Sequence, residues 1–245
     1  MKESELKTSL KQRIFIAIIA VLMLGATLAV YIAIIMNSNS SSTTGESGVD
    51  EAKVAQLQEE YDSLNDEYQT VATNLSSKYL EKFVDYRSKV KSFNAAKVNE
   101  KGTVTTEDLK VGSGKELDAS SDGYGAYYIG WCADEKVFDS SFDNYDSPSS
   151  LKAPLVIEKD SLIEGWYLGV AGMKLGGARI ITIPGNLAYG DAQNPCNSES
   201  EERNVPLRFL IMPIEIDDKF RDLSSQVGTA YMKLLYAQYG MEYTE

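Results

Sequence analysis

Hydrophobic residues follow three patterns along the 245-residue chain, and each pattern predicts a different kind of structure. The first is an apolar run from Phe15 to Met36, 22 residues without a charge. At ~1.5 Å per residue, a helix of this length crosses the hydrocarbon core of a bilayer. We therefore expect a transmembrane helix at residues 15–36. A cleaved signal peptide is the alternative, although its apolar core usually has only ~7–15 residues.

The charges that flank this run predict an orientation. Residues 1–14 contain four Lys or Arg residues, and the next positive residue after the run is Lys53. Positive residues remain on the cytoplasmic side of a membrane. We expect a single-pass protein of the cell membrane, with a cytoplasmic tail at residues 1–14 and the later domains outside the cytoplasm.

The second pattern is a heptad repeat, which follows a polar and flexible linker at residues 37–50. Its apolar positions alternate spacings of three and four residues, which predicts a helical, coiled-coil-like segment at residues 51–100. These positions are Val54, Leu57, Tyr61, Leu64, Tyr68, Val71 and Leu75. The predicted C-terminal helix, residues 220–245, carries a similar stripe. Two interpretations stay open, because residues 51–98 can form a homodimer or can pack on the C-terminal helix of the same chain.

The third pattern covers residues 104–218 and consists of short apolar and aromatic runs separated by turn residues. Between two of these runs, Asp160 or Ser161 is expected to cap a short helix that ends near Ala171. Many short strands around one helix predict an α+β domain, in which an antiparallel sheet wraps on the helix.

Composition excludes several classes of function. The net charge is −12, so the phosphates of a nucleic acid would be repelled and are not expected as partners. The chain has no histidine, which excludes Ser-His-Asp catalysis and histidine-ligated zinc. Two cysteines, Cys132 and Cys196, are too few for a structural zinc site. They form either one disulfide or two unpaired thiols, because sequence does not reveal their separation.

Three strings within residues 104–218 resemble the FKBP-type peptidyl-prolyl cis-trans isomerases in order and spacing. They are "YYIGWCADEKVFDSS", "LIEGWYLGVAGMKLGGARIITIPGNLAYG" and "VPLRFLIMPIEI". The resemblance implies an FKBP-like, highly twisted antiparallel sheet curled around one short helix. It also implies rotation of the peptide bond before proline. Together with the predicted location, this makes exported or extracytoplasmic proteins that contain proline the expected clients. Because no covalent bond breaks in this reaction, we expect neither a cofactor nor a metal ion.

The resemblance also assigns residues to an apolar pocket between the helix and the sheet. Trp166 is expected at its floor, and Tyr189 is expected to donate its hydroxyl to a substrate carbonyl. Asp139 is the carboxylate beside the proline, and the backbone N–H of Ile163 holds a bound carbonyl. The remaining expected pocket residues are Tyr128, Phe138, Leu162 and Phe209.

Three departures from the family pattern favour an alternative function. Asn144 stands where a basic partner of Asp139 is often found, and Ala153 lies near an expected aromatic position. The loop Asp191–Asn204 is long and acidic and lacks the usual apolar residue. The alternative is therefore an FKBP-like holdase or docking module with little isomerase activity.

Overall fold

The structure is a computed structural model, and it describes residues 49–192, 195–196 and 203–243. The predicted tail, the predicted membrane span and residues 37–48 of the linker lie outside these ranges. In the part of the chain that is described, no helix has both the length and the hydropathy needed to cross a bilayer. The chain divides into two compact units. Within the described residues, the larger unit is Ser63–Gln226, and the smaller unit consists of residues 49–62 and 227–243.

Five α-helices occur within the described residues, and two short 3₁₀ turns accompany them at Asp85–Lys89 and Gly185–Leu187. The helices are α1 (Glu51–Ser76), α2 (Leu80–Val84), α3 (Ala95–Lys101), α4 (Glu164–Val170) and α5 (Asp218–Gln238). The segment predicted to be helical, residues 51–100, contains α1, α2 and most of α3, with irregular connections between them. At the C-terminal end, α5 begins at Asp218, and the sequence predicts a helix over residues 220–245.

Six strands form one antiparallel sheet in the described part of the larger unit. They are β1 (Thr105–Lys110), β2 (Tyr124–Trp131), β3 (Val137–Ser140), β4 (Leu155–Ile157), β5 (Ala178–Ile183) and β6 (Leu207–Ile214). The order is β1-β5-β6-β2-β3, and β4 also pairs with β2. β3 pairs with the last residues of β2, Ile129–Trp131, and β4 pairs with its first, Tyr124–Ala126. This confirms the predicted antiparallel sheet with one short helix between its strands.

Successive residues of β2 point to opposite faces of the sheet, which separates the functions of two adjacent tyrosines. Tyr128 contacts α4, with its ring centroid 5.8 Å from that of Trp166. Tyr127 contacts the helical segment instead, at 5.4 Å from Tyr79 and 6.0 Å from Phe83. The Tyr127 hydroxyl donates to the Ser76 hydroxyl at 2.9 Å. The helical segment therefore covers the face of β2 opposite α4.

The heptad positions of α1 contact aromatic residues of α5 in each unit considered by itself. In the larger unit, the ring centroids of Tyr68 and Phe220 are 5.3 Å apart. In the smaller unit, those of Tyr61 and Tyr231 are 5.7 Å apart. These contacts favour the interpretation in which the stripe is used within one chain. A homodimer through residues 51–98 remains a prediction, which sedimentation velocity tests.

The predicted cap of α4 is wrong, because the N-cap position is Ile163 and not Asp160 or Ser161, and Tyr167 instead holds the residues before the helix. Its hydroxyl accepts the backbone N–H groups of Ser161 and Leu162 at 2.8 and 3.1 Å. The same hydroxyl donates to the carbonyl of Glu158 at 2.8 Å. The N-cap position is Ile163, which has no side-chain cap, and the Ser161 hydroxyl also donates to Glu158. An interior tyrosine of the helix therefore holds the chain that leads into it.

Gly165 allows α4 to lie close to the sheet. A Cβ atom at this position would be 2.2 Å from Cγ2 of Ile183 and 3.0 Å from the carbonyl oxygen of Leu187. Any larger residue would push the helix away from β5, because carbon atoms pack at about 3.5–4.0 Å. This close approach fixes the depth at which Trp166, the next residue, enters the core.

Candidate active site

Four aromatic rings from four different elements meet between α4 and the sheet. We call them the aromatic cluster: Tyr128, Phe138, Trp166 and Phe209. Trp166 has Phe209 at 5.4 Å and Tyr128 at 5.8 Å between ring centroids. Phe138 adds an edge-to-face contact with Phe209 at 5.6 Å. The predicted aromatic residues are therefore brought together in one place, with ring geometries that aromatic pairs prefer.

The cluster is deeply buried on the side of the helix and half-buried on the side of β3. Trp166 is 2% exposed, and Tyr128 and Phe209 are each 6% exposed. Phe138 is half-buried. Gly130 makes room for the rings, since a Cβ there would be 2.7 Å from Cζ of Phe138 and 2.9 Å from Cε1 of Phe209. The surroundings of these rings are consequently poor in water.

Trp166 brings a polar atom into this apolar environment. Its indole Nε1 is buried and has no hydrogen-bond partner among the described residues. The Tyr124 hydroxyl is also buried and also lacks a hydrogen-bond partner among the described residues. Burial raises the pKa of Tyr124 to about 12, and the nearby Trp166 indole opposes this rise. The two groups are nevertheless not joined by a well-formed hydrogen bond. Tyr124 is a residue of the site that sequence reasoning missed, although its place two pleats from Tyr128 on the same face of β2 is a usable signal.

Asp139 lies at the rim of the aromatic cluster, on β3. The Tyr128 hydroxyl donates a short hydrogen bond to its Oδ2 atom, and the backbone N–H of Ser140 donates to Oδ1 at 2.7 Å. Burial raises the pKa of Asp139, and the hydrogen bond from Tyr128, the charge of Lys152 and the Ser140 N–H each oppose that rise. Burial, followed by the charge of Asp139, raises the pKa of Tyr128 well above its ordinary value. Tyr128 therefore keeps its proton at neutral pH and is the donor to Asp139.

Tyr189 approaches the same carboxylate from the loop after β5. It is half-buried. Burial raises its pKa, and the negative charge of Asp139 raises it further. The hydroxyl consequently keeps its proton across the physiological range and remains a donor. The adjoining turn is closed by a hydrogen bond from the Gly190 N–H to the Gly185 carbonyl at 2.8 Å.

Two predicted pocket residues, Leu162 and Ile163, precede Trp166 on the entry to α4, and the backbone N–H of Ile163 is the predicted donor to a bound carbonyl. Ile163 is extended, with φ −64° and ψ 146°, and its carbonyl accepts the Trp166 N–H at 3.0 Å. The first N–H groups of a helix have no partner within the helix and are available to a ligand. The Leu162 N–H is different, since it already donates to the Tyr167 hydroxyl. Ile163 therefore suits a backbone donor role better than Leu162 does.

The departures noted in the sequence have physical outcomes. Asn144 lies in an exposed turn, where its side-chain oxygen accepts the N–H groups of Asp146 and Ser147 at 3.0 and 3.2 Å. Lys152 supplies the positive charge near Asp139 instead. Sequence reasoning missed Lys152 because it lies 13 positions after Asp139, across an irregular loop, and no local spacing relates the two.

The two cysteines form a disulfide, with 5.6 Å between their Cα atoms. Cys132 directly follows β2, and Cys196 belongs to the acidic loop. The bridge ties that loop to the end of the strand that carries Tyr128. Of the two interpretations left open by the sequence, the disulfide is the one observed. Within the described ranges, no group of three Cys, Asp or Glu side chains converges to hold a metal ion.

Comparisons with known proteins agree with this geometry in the central part of the chain. The sequence model of the family described as "FKBP-type peptidyl-prolyl cis-trans isomerase" matches residues 114–211. FK506-binding protein 4 of Neurospora crassa is 44% identical over 92 residues, which is 38% of this chain and 18% of that protein. The protein of the same name from Dictyostelium discoideum is 43% identical over 91 residues, 36% of this chain and 22% of its own length. The chain thus covers only a small part of these relatives.

Two solved structures are also similar over part of the chain. The peptidyl-prolyl cis-trans isomerase of Pseudomonas syringae pv. tomato is 26% identical and has a TM-score of 0.37, with 47% of this chain and 76% of that chain covered. AtFKBP13 is 30% identical and has a TM-score of 0.36, with 46% of this chain and 93% of that chain covered.

The comparisons overturn the localisation that the sequence predicted. The matched relatives are named FK506-binding protein 4, and no helix in the described part of the chain can cross a bilayer. The prediction of a cell-membrane protein with its domain outside the cytoplasm is therefore wrong. The location was inferred only from the hydropathy of residues 15–36 and from the positive charges before them. These residues lie outside the described part of the chain.

The same comparisons confirm the enzyme class at the level of the domain. The sheet, the short helix between its strands and the aromatic cluster all fall within or beside the matched range. Curated relatives at about 40% identity carry the name of FK506-binding proteins. Over residues 114–211, this chain carries a domain of the FKBP-type peptidyl-prolyl cis-trans isomerase family.

Proposed function

We propose that this chain accelerates cis-trans rotation of X–Pro bonds in proline-containing protein segments, and that the aromatic cluster is where the proline binds. The observation that carries the proposal is the convergence of three buried rings with two polar groups. Trp166, Tyr128 and Phe209 lie within 6.5 Å of one another between centroids. Asp139 and Tyr189 lie at the more exposed rim.

The reaction suits an apolar site because it breaks no covalent bond. Rotation about an X–Pro bond has a barrier of about 20 kcal/mol and takes tens of seconds or longer without a catalyst. The planar amide is strongly polar, since its nitrogen donates electrons to the carbonyl. The twisted amide has lost that donation and is less polar. A site poor in water therefore disfavours the planar form relative to the twisted one, which is catalysis by differential binding.

The required energy is modest. An acceleration of ~10³–10⁵ corresponds to about 4–7 kcal/mol. Loss of water around the amide and one or two oriented hydrogen bonds supply energies of this order. In the proposed arrangement, the Tyr189 hydroxyl and the Ile163 N–H hold substrate carbonyl groups, and Trp166 lies under the proline ring. Asp139 fixes the Tyr128 hydroxyl beside it.

The proposal is tested with the full chain in a protease-coupled assay on a short X–Pro peptide. We expect rotation to be faster than in buffer, in proportion to protein concentration. If rotation is no faster while aggregation of an unfolded client is still suppressed, the holdase alternative replaces the enzyme. The location of Lys152 removes one argument for that alternative, because Asp139 has a cationic neighbour after all.

The Tyr189→Phe variant tests the donor role of the hydroxyl. The ring is retained, so folding should be preserved while one hydrogen bond to substrate is lost. A hydrogen bond contributes about 0.5–1.5 kcal/mol, and we expect kcat/KM to fall about 3- to 10-fold. The matched control is Tyr239→Phe, since Tyr239 is 71% exposed and far from the site in sequence. Equal kcat/KM values for the two variants would remove Tyr189 from the site.

A further inference from the structure

Groups from three elements of the chain interact with Asp139, one by a hydrogen bond and two electrostatically. Tyr128 on β2 donates its hydroxyl hydrogen bond, and Tyr189 approaches from the loop after β5. The third is Lys152, which belongs to the segment between β3 and β4. Of these, Lys152 alone is a cation.

Lys152 is held by hydrogen bonds at both its backbone and its side chain. Its Nζ donates to the carbonyl of Ser140, the residue after Asp139, at 3.0 Å. Its backbone N–H donates to the carbonyl of Ser141 at 2.8 Å. Its own carbonyl accepts the hydroxyl of Ser76, at the end of α1, at 2.9 Å. A lysine side chain on a surface usually moves through many rotamers, whereas this one is held at Nζ, and its backbone is held by two further hydrogen bonds.

The loop before Lys152 explains why the lysine returns to β3. Asp143 accepts the backbone N–H groups of Ser149 and Ser150, each at 3.1 Å. Phe142 and Leu151 then pair as an antiparallel bridge. The chain therefore leaves β3 and closes a compact loop. It returns to the end of β3 at Leu151, and Lys152 is the next residue.

We propose that Lys152 is a positioning residue of the active site: its ammonium group, held at the carbonyl of Ser140, stabilises the negative charge of the neighbouring Asp139 carboxylate, which in turn orients the Tyr128 hydroxyl. The inference rests on the proposed isomerase function for its catalytic consequence. The electrostatic part rests on two observed contacts. Nζ of Lys152 donates to the carbonyl of Ser140, next to Asp139, and the Tyr128 hydroxyl donates to the Asp139 carboxylate.

The direct test is a carbon-detected NMR titration of the Asp139 carboxyl in the full chain. Lys152→Met keeps most of the side-chain length and removes the charge, so the Asp139 midpoint should move to higher pH. Lys152→Arg retains the charge and should leave the midpoint close to that of the wild type. The matched control is Lys136→Met, because Lys136 is an exposed cation on the turn between β2 and β3. It should leave the midpoint unchanged.

Stability gives a second readout with a defined sign. The pKa of Asp139 is raised in the folded chain, so its ionisation opposes folding. The unfavourable contribution is absent below the ordinary pKa of aspartate and grows as the pH rises through the folded value. Lys152→Met loses the hydrogen bond from Nζ to Ser140 at every pH, and its stability relative to the wild type should fall further from acid toward neutral pH. In an Asp139→Asn background this pH-dependent difference should vanish.

The catalytic consequence is measured as the pH profile of kcat/KM. The acid limb should move to higher pH in Lys152→Met, and Asp139→Asn should abolish that limb. An unchanged Asp139 midpoint in Lys152→Met, or an equal shift in Lys136→Met, would overturn the inference. A chain without isomerase activity would refute the proposed function instead, while the NMR titration would still decide whether Lys152 controls Asp139.

Discussion

Substitution of Phe83 by alanine is expected to lower the free energy of unfolding by about 3–5 kcal/mol, as for other large-to-small changes in a core. Phe83 is fully buried, and its ring lies 5.2 Å from Phe142 and 6.0 Å from Tyr127 between centroids. It belongs to α2, outside the range that matches the family. The expected loss therefore means that the isomerase domain depends on the helical segment before it.

Urea unfolding of the full chain, followed by circular dichroism, measures this effect. The matched control is Val111→Ala, a change of an apolar residue that is 75% exposed, which should alter stability by less than about 0.5 kcal/mol. A loss below about 1 kcal/mol in Phe83→Ala would show that the helical segment contributes little. The same reasoning predicts that a fragment limited to residues 104–218 unfolds far more readily than one that begins at residue 63.

The second large effect is expected at Trp166, in catalysis. Trp166→Ala removes the indole that contacts both Tyr128 and Phe209. It should reduce transition-state stabilisation by about 2–3 kcal/mol, which is roughly a 30- to 150-fold fall in kcat/KM. Because the residue is 2% exposed, the same change should also destabilise the fold by about 3–5 kcal/mol.

A second variant separates catalysis from folding at this position. Trp166→Phe retains an aromatic ring and most of the packing, so it should fold and still lose part of the activity. The exposed Leu168 on the same helix gives the control, since Leu168→Ala should keep the wild-type kcat/KM. Wild-type activity in a folded Trp166→Phe and a folded Trp166→Ala would exclude the indole from the site.

Local patterns sufficed to predict the strands and the short helix between them. These features depend on residues close together in sequence. The family resemblance supplied the site residues, which no periodicity singles out. They are the aromatic residues Tyr128, Phe138, Trp166 and Phe209, together with Asp139 and Tyr189.

The features that the sequence did not predict depend on contacts between distant residues. Lys152 meets Asp139 only because a loop closes on itself, and Ser76 meets Lys152 across 76 positions. The cap of α4 was assigned to Asp160 or Ser161 by local preference, yet a tyrosine within the helix reaches back to bind the preceding N–H groups. The division of residues 77–94 into short pieces likewise follows from packing on β2, since the heptad pattern weakens there without a clear stop signal.

These long-range contacts have one consequence for the site as a whole. The helical segment holds Tyr127 through Ser76, and the indole of Trp131 donates to the Lys91 carbonyl at 2.9 Å. Both residues belong to β2, the strand that carries Tyr128. The position of the aromatic cluster is therefore set from both faces of the sheet, by α4 on one side and by residues 76–91 on the other.

The central claim is that the aromatic site favours an amide in the course of rotation, and exchange NMR on an X–Pro peptide tests it most directly. The full chain is added at a small fraction of the peptide concentration, and the rates of cis-to-trans and trans-to-cis exchange are measured at equilibrium. A catalyst must accelerate both directions by the same factor and leave the ratio of isomers unchanged. We predict that result for the wild-type chain. Unaltered exchange rates, with a shift in the isomer ratio only at stoichiometric protein, would mean that the site binds proline segments without rotating them.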